Sequence, residues 1–212
     1  GRGAGGRRCE EGLQILSELR GVLRALAALI FKLTGWSVNW NLPEGVHRCV
    51  MIAAPHTSNW DLFYARIAFY QMRIPLRFTV KKEWLRFPVG GLMRAMGAIG
   101  VDRTPKNPGD ERPSLTDAMA HLFADHERLV VMVTPEGTRK LRTEWKTGFY
   151  YVALKAGVPV GLGYLDYAKK EAGVGKMVYP SGDRDKDLRE IMDFYRSIRG
   201  KHPEKFSVDI TV

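Results

Sequence analysis

His56 and Asp61, five residues apart, are a pair that could carry out acid–base chemistry. The apolar run at 50–54 predicts a buried strand, and the polar residues after it predict a turn into a helix. On one continuous helix the two side chains would differ by about 140° around the axis and could not share a face. With His56 in the turn and Asp61 in the first helical turn, the carboxylate could instead fix one imidazole nitrogen, which would leave the other as a base.

The same residues have a second interpretation. Ser58-x-x-Asp61 is a capping-box-like pattern, in which Asp61 would only bind the backbone at the helix start. A serine or cysteine nucleophile is not predicted, because the sequence has no GxSxG elbow and neither Cys9 nor Cys49 lies in a polar, histidine-rich setting. If His56 is a base, its target is therefore a hydroxyl group of a substrate.

Residues 133–140, VTPEGTRK, place a second polar cluster at the end of an apolar strand. Gly137 would let the turn approach a ligand closely, and Arg139 offers a bidentate fork for phosphate. Glu136 could orient that fork or a substrate hydroxyl. Alternatively, Pro-Glu-Gly-Thr is simply a good turn sequence. A third apolar segment, within 97–103, also ends in a cation, Arg103.

Apolar runs alternate with helical patterns along the chain, which predicts an α/β fold with a largely parallel mixed sheet covered by helices. Strands are expected at 36–40, 50–54, 77–80, 98–101, 129–133, 158–165 and 207–212, with helices at 58–72, 82–96 (broken near Pro88), 114–126, 148–156 and 183–199. Because adjacent parallel strands end along one edge of the sheet, the three polar clusters are expected to converge there.

The N-terminal region predicts an amphipathic helical appendage. Apolar residues spaced three and four apart lie on one helical stripe: Leu16, Leu19, Leu23, Leu26, Ile30 and Leu33. The stripe suits either docking on the domain or lying in a lipid headgroup layer. The expected organisation is a flexible tail at 1–12, this helix at 13–35 and one α/β domain at 36–212. No segment reaches the roughly 18 to 20 apolar residues of a membrane-spanning helix.

The net charge of +10 favours an anionic partner. The sequence shows no RNA-binding aromatic motif, zinc finger or helix-turn-helix signature, and its basic residues are dispersed, so an anionic membrane surface is favoured over nucleic acid. The cysteines have no metal-ligand spacing, and no metal site is predicted.

Four ordered blocks between Val50 and Val160 resemble the glycerolipid acyltransferase family, specifically its lysophosphatidic-acid acyltransferase-like members. The blocks are His56 to Asp61 (HTSNWD), Gly97 to Arg103 (GAIGVDR), Pro135 to Arg139 (PEGTR) and Val158 to Val160 (VPV). The stretch Lys81-Lys82-Glu83-Trp84 is also similar to the family's segment between the first two blocks, and this resemblance makes Lys81 an additional phosphate contact.

The resemblance implies transfer of a fatty acyl group from coenzyme A or acyl carrier protein to a hydroxyl of a lysophospholipid, with no further cofactor. By analogy, His56 is the general base and Asp61 orients it. Gly137 and Thr138 belong to the substrate-binding block, in which Glu136 and Arg139, together with Arg103, hold the phosphate end of the acceptor. The protein is then expected to be peripheral or monotopic at the cytoplasmic face of a membrane.

Three departures from the family pattern concern the acceptor site. Thr134 stands where an aromatic residue is usual, Lys140 where a small hydroxyl residue is common, and Gly100 where a bulky residue is usual. The identity of the acceptor therefore stays open, and the candidates include a different lysolipid or an amine- or sugar-bearing headgroup. Two other functions also stay open: a catalytically silent lipid-binding module, which would have no need for an intact His56/Asp61 pair, and an acyl thioesterase.

Overall fold

The computed structural model describes residues 21–81, 85–86, 88, 90–95, 97–101 and 114–212. The strands in this part are β1 Ser37–Val38, β2 Arg48–Ala54, β3 Leu76–Lys81, β4 Ala98–Val101, β5 Leu129–Val133, β6 Val160–Asp166 and β7 Glu171–Val178. They form one sheet in the order β1-β7-β6-β2-β5-β3-β4. Neighbouring strands are parallel except β6 and β7. The predicted α/β fold with a largely parallel sheet is confirmed.

Helices cover both faces of this sheet. In the described residues they are α1 (21–34), α2 Asn59–Gln71, α3 Gly90–Ala95, α4 Leu115–Ala124, α5 Gly148–Ala156 and α6 Arg184–Tyr195, followed by a 3₁₀ turn at Pro203–Lys205. Val50 and Ile52 of β2 pack in the core that α4, α5 and α6 cover, whereas Cys49 and Met51 pack in the core that α1 and α2 cover. Because both faces are buried, β2 is a continuous apolar run from Cys49 onward, without alternation.

One prediction about the C-terminal half is wrong, and one strand there was not predicted. The segment 207–212 is not a strand: the Ile210 N–H donates to the Thr143 carbonyl, and the Asp209 carboxylate accepts the Trp145 N–H. A strand that the sequence did not predict, β7, instead pairs with β6 and β1. Its glycines, as at Gly175, lower strand propensity, but a side chain there would collide with Phe194.

α1 docks on the domain through a different face from the predicted stripe. Ala27 and Phe31 are buried, and Phe31 packs in the core cluster beneath α2. The stripe residues Leu26 and Leu33 are 50% and 76% exposed. The helix therefore carries a docking face and, separately, an exposed apolar face. Among the described residues, no helix combines the length and apolar character needed to cross a bilayer.

Candidate active site

His56 lies in the short turn that joins β2 to α2. The Ala54–Pro55 peptide at the end of β2 is cis. Ser58 is the N-cap of α2, and its hydroxyl accepts the Trp60 N–H at 3.2 Å. This bond satisfies one of the N–H groups that a helix start leaves unpaired. The cap fixes the helix end of the turn, and 25% of the His56 side chain is exposed.

Asp61 fits both interpretations of the sequence pattern. Its Oδ2 accepts the backbone N–H groups of Thr57 and Ser58, each at 2.7 Å, and a capping box with Ser58 is present. The same oxygen lies 3.5 Å from Nδ1 of His56. The two interpretations are therefore one arrangement, because the bonds that cap the helix also hold the carboxylate beside the imidazole.

The Asp61 carboxylate stays ionised although it is buried. Burial by itself would raise the pKa of Asp61, but hydrogen bonds from His56, Ser58, Tyr167 and Thr57 outweigh it and hold the pKa below its usual range. A charged carboxylate beside Nδ1 favours the tautomer with the proton on that nitrogen. The other nitrogen, Nε2, is then left with a lone pair that can accept a proton.

Glu136 reaches the same turn from the segment after β5. The strands β2 and β5 are neighbours, so their following segments converge as predicted. Oε1 of Glu136 accepts the backbone N–H of His56 at 2.9 Å. Glu136 is 4% exposed, and within the described residues its buried Oε2 has no hydrogen-bond partner. The carboxyl group therefore supports the His56 turn from inside the protein.

The interior position changes the acidity of Glu136. Burial raises its pKa from the ordinary 4.5 to about 7, against the opposing effects of the His56 N–H and imidazole. Both states are protonated below pH 4.5, so the folded state then carries no buried charge. Between pH 4.5 and about 7 the unfolded state ionises while the folded state still binds its proton, and the folded state ionises in turn as the pH rises through 7. The free energy of unfolding consequently falls across this window.

We expect Glu136→Gln to remove this loss of stability, because glutamine keeps an oxygen for the His56 N–H and carries no charge. The variant should be similar to wild type at pH 4.5 and up to about 3 kcal/mol more stable at pH 8, the equivalent of 2.5 pKa units. Urea unfolding at both pH values measures the difference, and Glu44→Gln at an exposed site is the control. A difference that does not change with pH would contradict the assignment.

Gly137, Thr138 and Arg139 form the outer side of the loop. Gly137 has φ +65°, which a residue with a side chain adopts only with strain. A Cβ there would also lie 3.0 Å from Nζ of Lys146. The Thr138 hydroxyl accepts the Lys140 N–H at 3.3 Å. Arg139 is exposed, so its guanidinium is accessible to a ligand.

Two predicted site residues cannot be placed in this site. Arg103 lies outside the described residues, as does the side chain of Lys81 at the end of β3. Within the described part of the chain, no group of three His, Cys, Asp or Glu side chains is arranged to hold a metal ion.

Two cavities near the turn share part of their walls. The first, of about 180 Å³, is lined by His56, Asp61 and mainly apolar residues of α2 and β6, including Phe69. The second, of about 660 Å³, lies between α2, α4 and α5. Both include the side chains Leu62, Met132 and Thr134 in their walls. The imidazole therefore borders apolar space, which is the setting that a ligand with hydrocarbon chains requires.

Tyr167 belongs to the site although no sequence motif points to it. Its hydroxyl donates to Oδ1 of Asp61 at 2.8 Å. The residue follows β6 directly, in the turn to β7. It is 106 residues from Asp61 and belongs to no motif, so only correct prediction of the β6–β7 hairpin could have brought it into consideration.

Comparison with known proteins gave one family and a similar solved structure. The model of the family described as Acyltransferase matches residues 38–161. The crystal structure of the 1-acyl-sn-glycerophosphate (LPA) acyltransferase PlsC from Thermotoga maritima is similar, with a TM-score of 0.48 and 17% identity over 86% of this chain and 81% of that one. None of the curated proteins compared with the chain matches it.

Proposed function

The chain belongs to the acyltransferase family, and we propose that it transfers a fatty acyl group from a thioester carrier directly to a hydroxyl of a lysophospholipid such as 1-acylglycerol-3-phosphate. The carrier is coenzyme A or acyl carrier protein. The observation that carries this proposal is the position of His56. Its Nδ1 lies 3.5 Å from an ionised, buried carboxylate, and the same ring borders an apolar cavity.

In the proposed reaction His56 acts as general base. Nε2 takes the proton of the acceptor hydroxyl while the hydroxyl oxygen attacks the thioester carbonyl carbon. The resulting tetrahedral intermediate collapses, the C–S bond breaks, and the imidazolium returns the proton to the departing thiolate. A thiol with a pKa of about 8.5 is a good leaving group, so the reaction needs no covalent enzyme intermediate. Asp61 stabilises the imidazolium that forms in between.

The phosphate of the acceptor is assigned to the exposed loop after β5. The guanidinium of Arg139 can bind phosphate through two parallel hydrogen bonds. Gly137 and Thr138 form the accessible backbone of the same loop. By family resemblance, Arg103 and Lys81 complete the phosphate site. Glu136 is adjacent in sequence but faces inward, so its contribution is to hold the His56 turn.

An anionic membrane surface is the proposed place of the reaction. The exposed face of α1 carries Leu23, Leu26, Leu29 and Leu33. Trp60 and Phe63, near the start of α2, are also exposed, at 52% and 42%. With a net charge of +10, these apolar side chains suit a layer of anionic headgroups. A peripheral or monotopic enzyme at the cytoplasmic face would meet both acyl carrier and lysolipid there.

The experiment that tests the function measures thiol release from long-chain acyl-coenzyme A, or acyl carrier protein, together with the lipid products by mass spectrometry. A panel of lysolipids is presented in neutral vesicles and in vesicles with anionic lipid. Release that depends on a lysolipid and yields the acylated product supports the proposal. Release without acylated lipid would indicate a thioesterase, and no release with either carrier would indicate a silent lipid-binding module. Equal turnover in both vesicle types would contradict the proposal that the reaction takes place at an anionic membrane surface.

We expect Arg139→Ala to raise KM for a phosphate-bearing acceptor about tenfold or more and to leave kcat within about threefold, because a charge-assisted contact to the bound acceptor is lost in both ground and transition states. KM for the acyl donor should not change. Lys140→Ala, which removes the same charge one residue away, is the control and should have the smaller effect. An altered donor KM with an unchanged acceptor KM would contradict the role of Arg139.

A further inference from the structure

The Tyr167 hydroxyl engages the Asp61 oxygen that the helix cap leaves available. Oδ2 of Asp61 accepts two backbone N–H groups and faces Nδ1 of His56. In the described part of the chain, the hydrogen bond found at Oδ1 comes from Tyr167, at 2.8 Å. Rotation of the carboxylate about the Cβ–Cγ bond moves both oxygens, so the bond at Oδ1 adds a second restraint to the bonds at Oδ2. The tyrosine therefore sets the plane of the carboxylate that the imidazole faces.

Tyr167 is itself held in place by the backbone around it. Oδ1 of Asp166 accepts the N–H groups of Ala168 and Lys169, which fixes the turn after β6. The Tyr167 N–H donates to the Arg199 carbonyl at 2.8 Å. The backbone of Tyr167 is thus fixed by residues that lie beyond the family-matched segment 38–161.

The ring of Tyr167 packs within an aromatic cluster. It makes an edge contact with Trp36 at 4.9 Å between ring centres, and a second with Tyr64 at 6.2 Å. Burial, and then the bond to Asp61, raise the pKa of Tyr167 above its usual range, so its hydroxyl stays a donor at any pH at which the protein works. Packing holds the Tyr167 ring in place, and the retained proton keeps its hydroxyl a hydrogen-bond donor to Asp61.

We propose that Tyr167 is a positioning residue for acyl transfer, which acts through Asp61 to align His56 and does not contact the substrate. The proposal rests on the general-base role of His56 proposed above. The residue has no counterpart in the four sequence blocks, so this chain completes its catalytic turn with a side chain from the β6–β7 hairpin. A hydrogen bond to a charged group supports an expected loss of about tenfold in kcat when the hydroxyl is removed.

The test compares Tyr167→Phe with Tyr64→Phe in the acyl-transfer assay. Phenylalanine keeps the ring contacts with Trp36, so both variants should fold, and the lost bond to Asp61 should lower the urea midpoint of Tyr167→Phe only modestly. Tyr167→Phe should lower kcat about tenfold with KM for both substrates within about twofold. Tyr64→Phe, which removes a hydroxyl from the same aromatic cluster, should retain wild-type kcat.

A double-mutant cycle separates positioning from a general structural role. In an Asp61→Asn background, Tyr167→Phe should cause little further loss, because the residue acts through the carboxylate. Equal losses in both backgrounds, wild-type kcat in Tyr167→Phe, or failure of that variant to fold would each overturn the proposal. An inactive wild-type protein would instead refute the proposed function, so the two failures are distinguishable.

Discussion

Substituting His56 by alanine is expected to lower kcat about 10³-fold or more and to leave the fold intact. A positioned general base contributes roughly 10²- to 10⁴-fold, and alanine removes the imidazole that lies beside the Asp61 carboxylate. The fold should survive because the His56 contribution to the turn is its backbone N–H, which donates to Glu136 and remains in alanine. The imidazole itself is 25% exposed.

The measurement is single-turnover acyl transfer, with urea unfolding of the same preparations. His121→Ala, at an exposed position on α4, is the matched control and should have wild-type activity and stability. Retention of more than a tenth of the wild-type rate by His56→Ala would exclude the general-base role. A large loss of stability would mean that the imidazole supports the turn as well.

The convergence of the β2 and β5 segments could be predicted from sequence, because it depends on strand order and parallel direction alone. The direction of the Glu136 side chain could not be predicted. In the sequence, Glu136 stands between a proline and a glycine, a setting typical of an exposed turn. It points inward because the His56 N–H needs an acceptor once β2 has ended, and that need arises only when two distant segments meet.

The capping-box alternative shows why a local pattern did not decide the role of Asp61. The spacing Ser58-x-x-Asp61 is satisfied by a helix cap whether or not a histidine lies nearby. The cap and the imidazole contact use the same oxygen, Oδ2, so sequence spacing cannot distinguish them. The distinguishing feature is Tyr167 at Oδ1, which a helix cap does not require and which comes from a strand pair that the sequence did not predict.

The sequence predicted the apolar stripe of the N-terminal helix, but it did not predict which face of the helix packs on the domain. Sequence periodicity finds the larger apolar face, and on α1 that face includes Leu26 and Leu33, which are exposed. The docking face consists of a narrower set that includes Ala27 and Phe31. Phe31 packs on the domain because its ring contacts the rings of Trp36 and Tyr64. Such complementarity depends on partners distant in sequence and leaves no periodic signal.

Substituting Asp61 by asparagine is expected to lower both activity and stability, unlike the His56 variant. An amide has one acceptor oxygen and no charge, so it cannot receive the Thr57 and Ser58 N–H groups and the Tyr167 hydroxyl together. Loss of bonds to a buried charge should lower the free energy of unfolding by about 2–4 kcal/mol. Loss of the imidazole's partner should lower kcat about 10²- to 10⁴-fold.

Ser58→Ala separates the two effects, because it removes the other half of the capping box and leaves the carboxylate in place. It should destabilise the protein by about 1 kcal/mol and change kcat less than tenfold.

Urea unfolding at several pH values tests the direction in which the contribution of Asp61 to stability changes with pH. The depressed pKa of Asp61 stabilises the folded state above its ordinary value of 3.8, and this stabilisation is lost as the pH falls further. The stability difference between wild type and Asp61→Asn should therefore narrow in acid. A difference that stays constant would show that the lost stability comes from packing, whereas a narrowing difference would trace it to the same ionised carboxylate that faces His56.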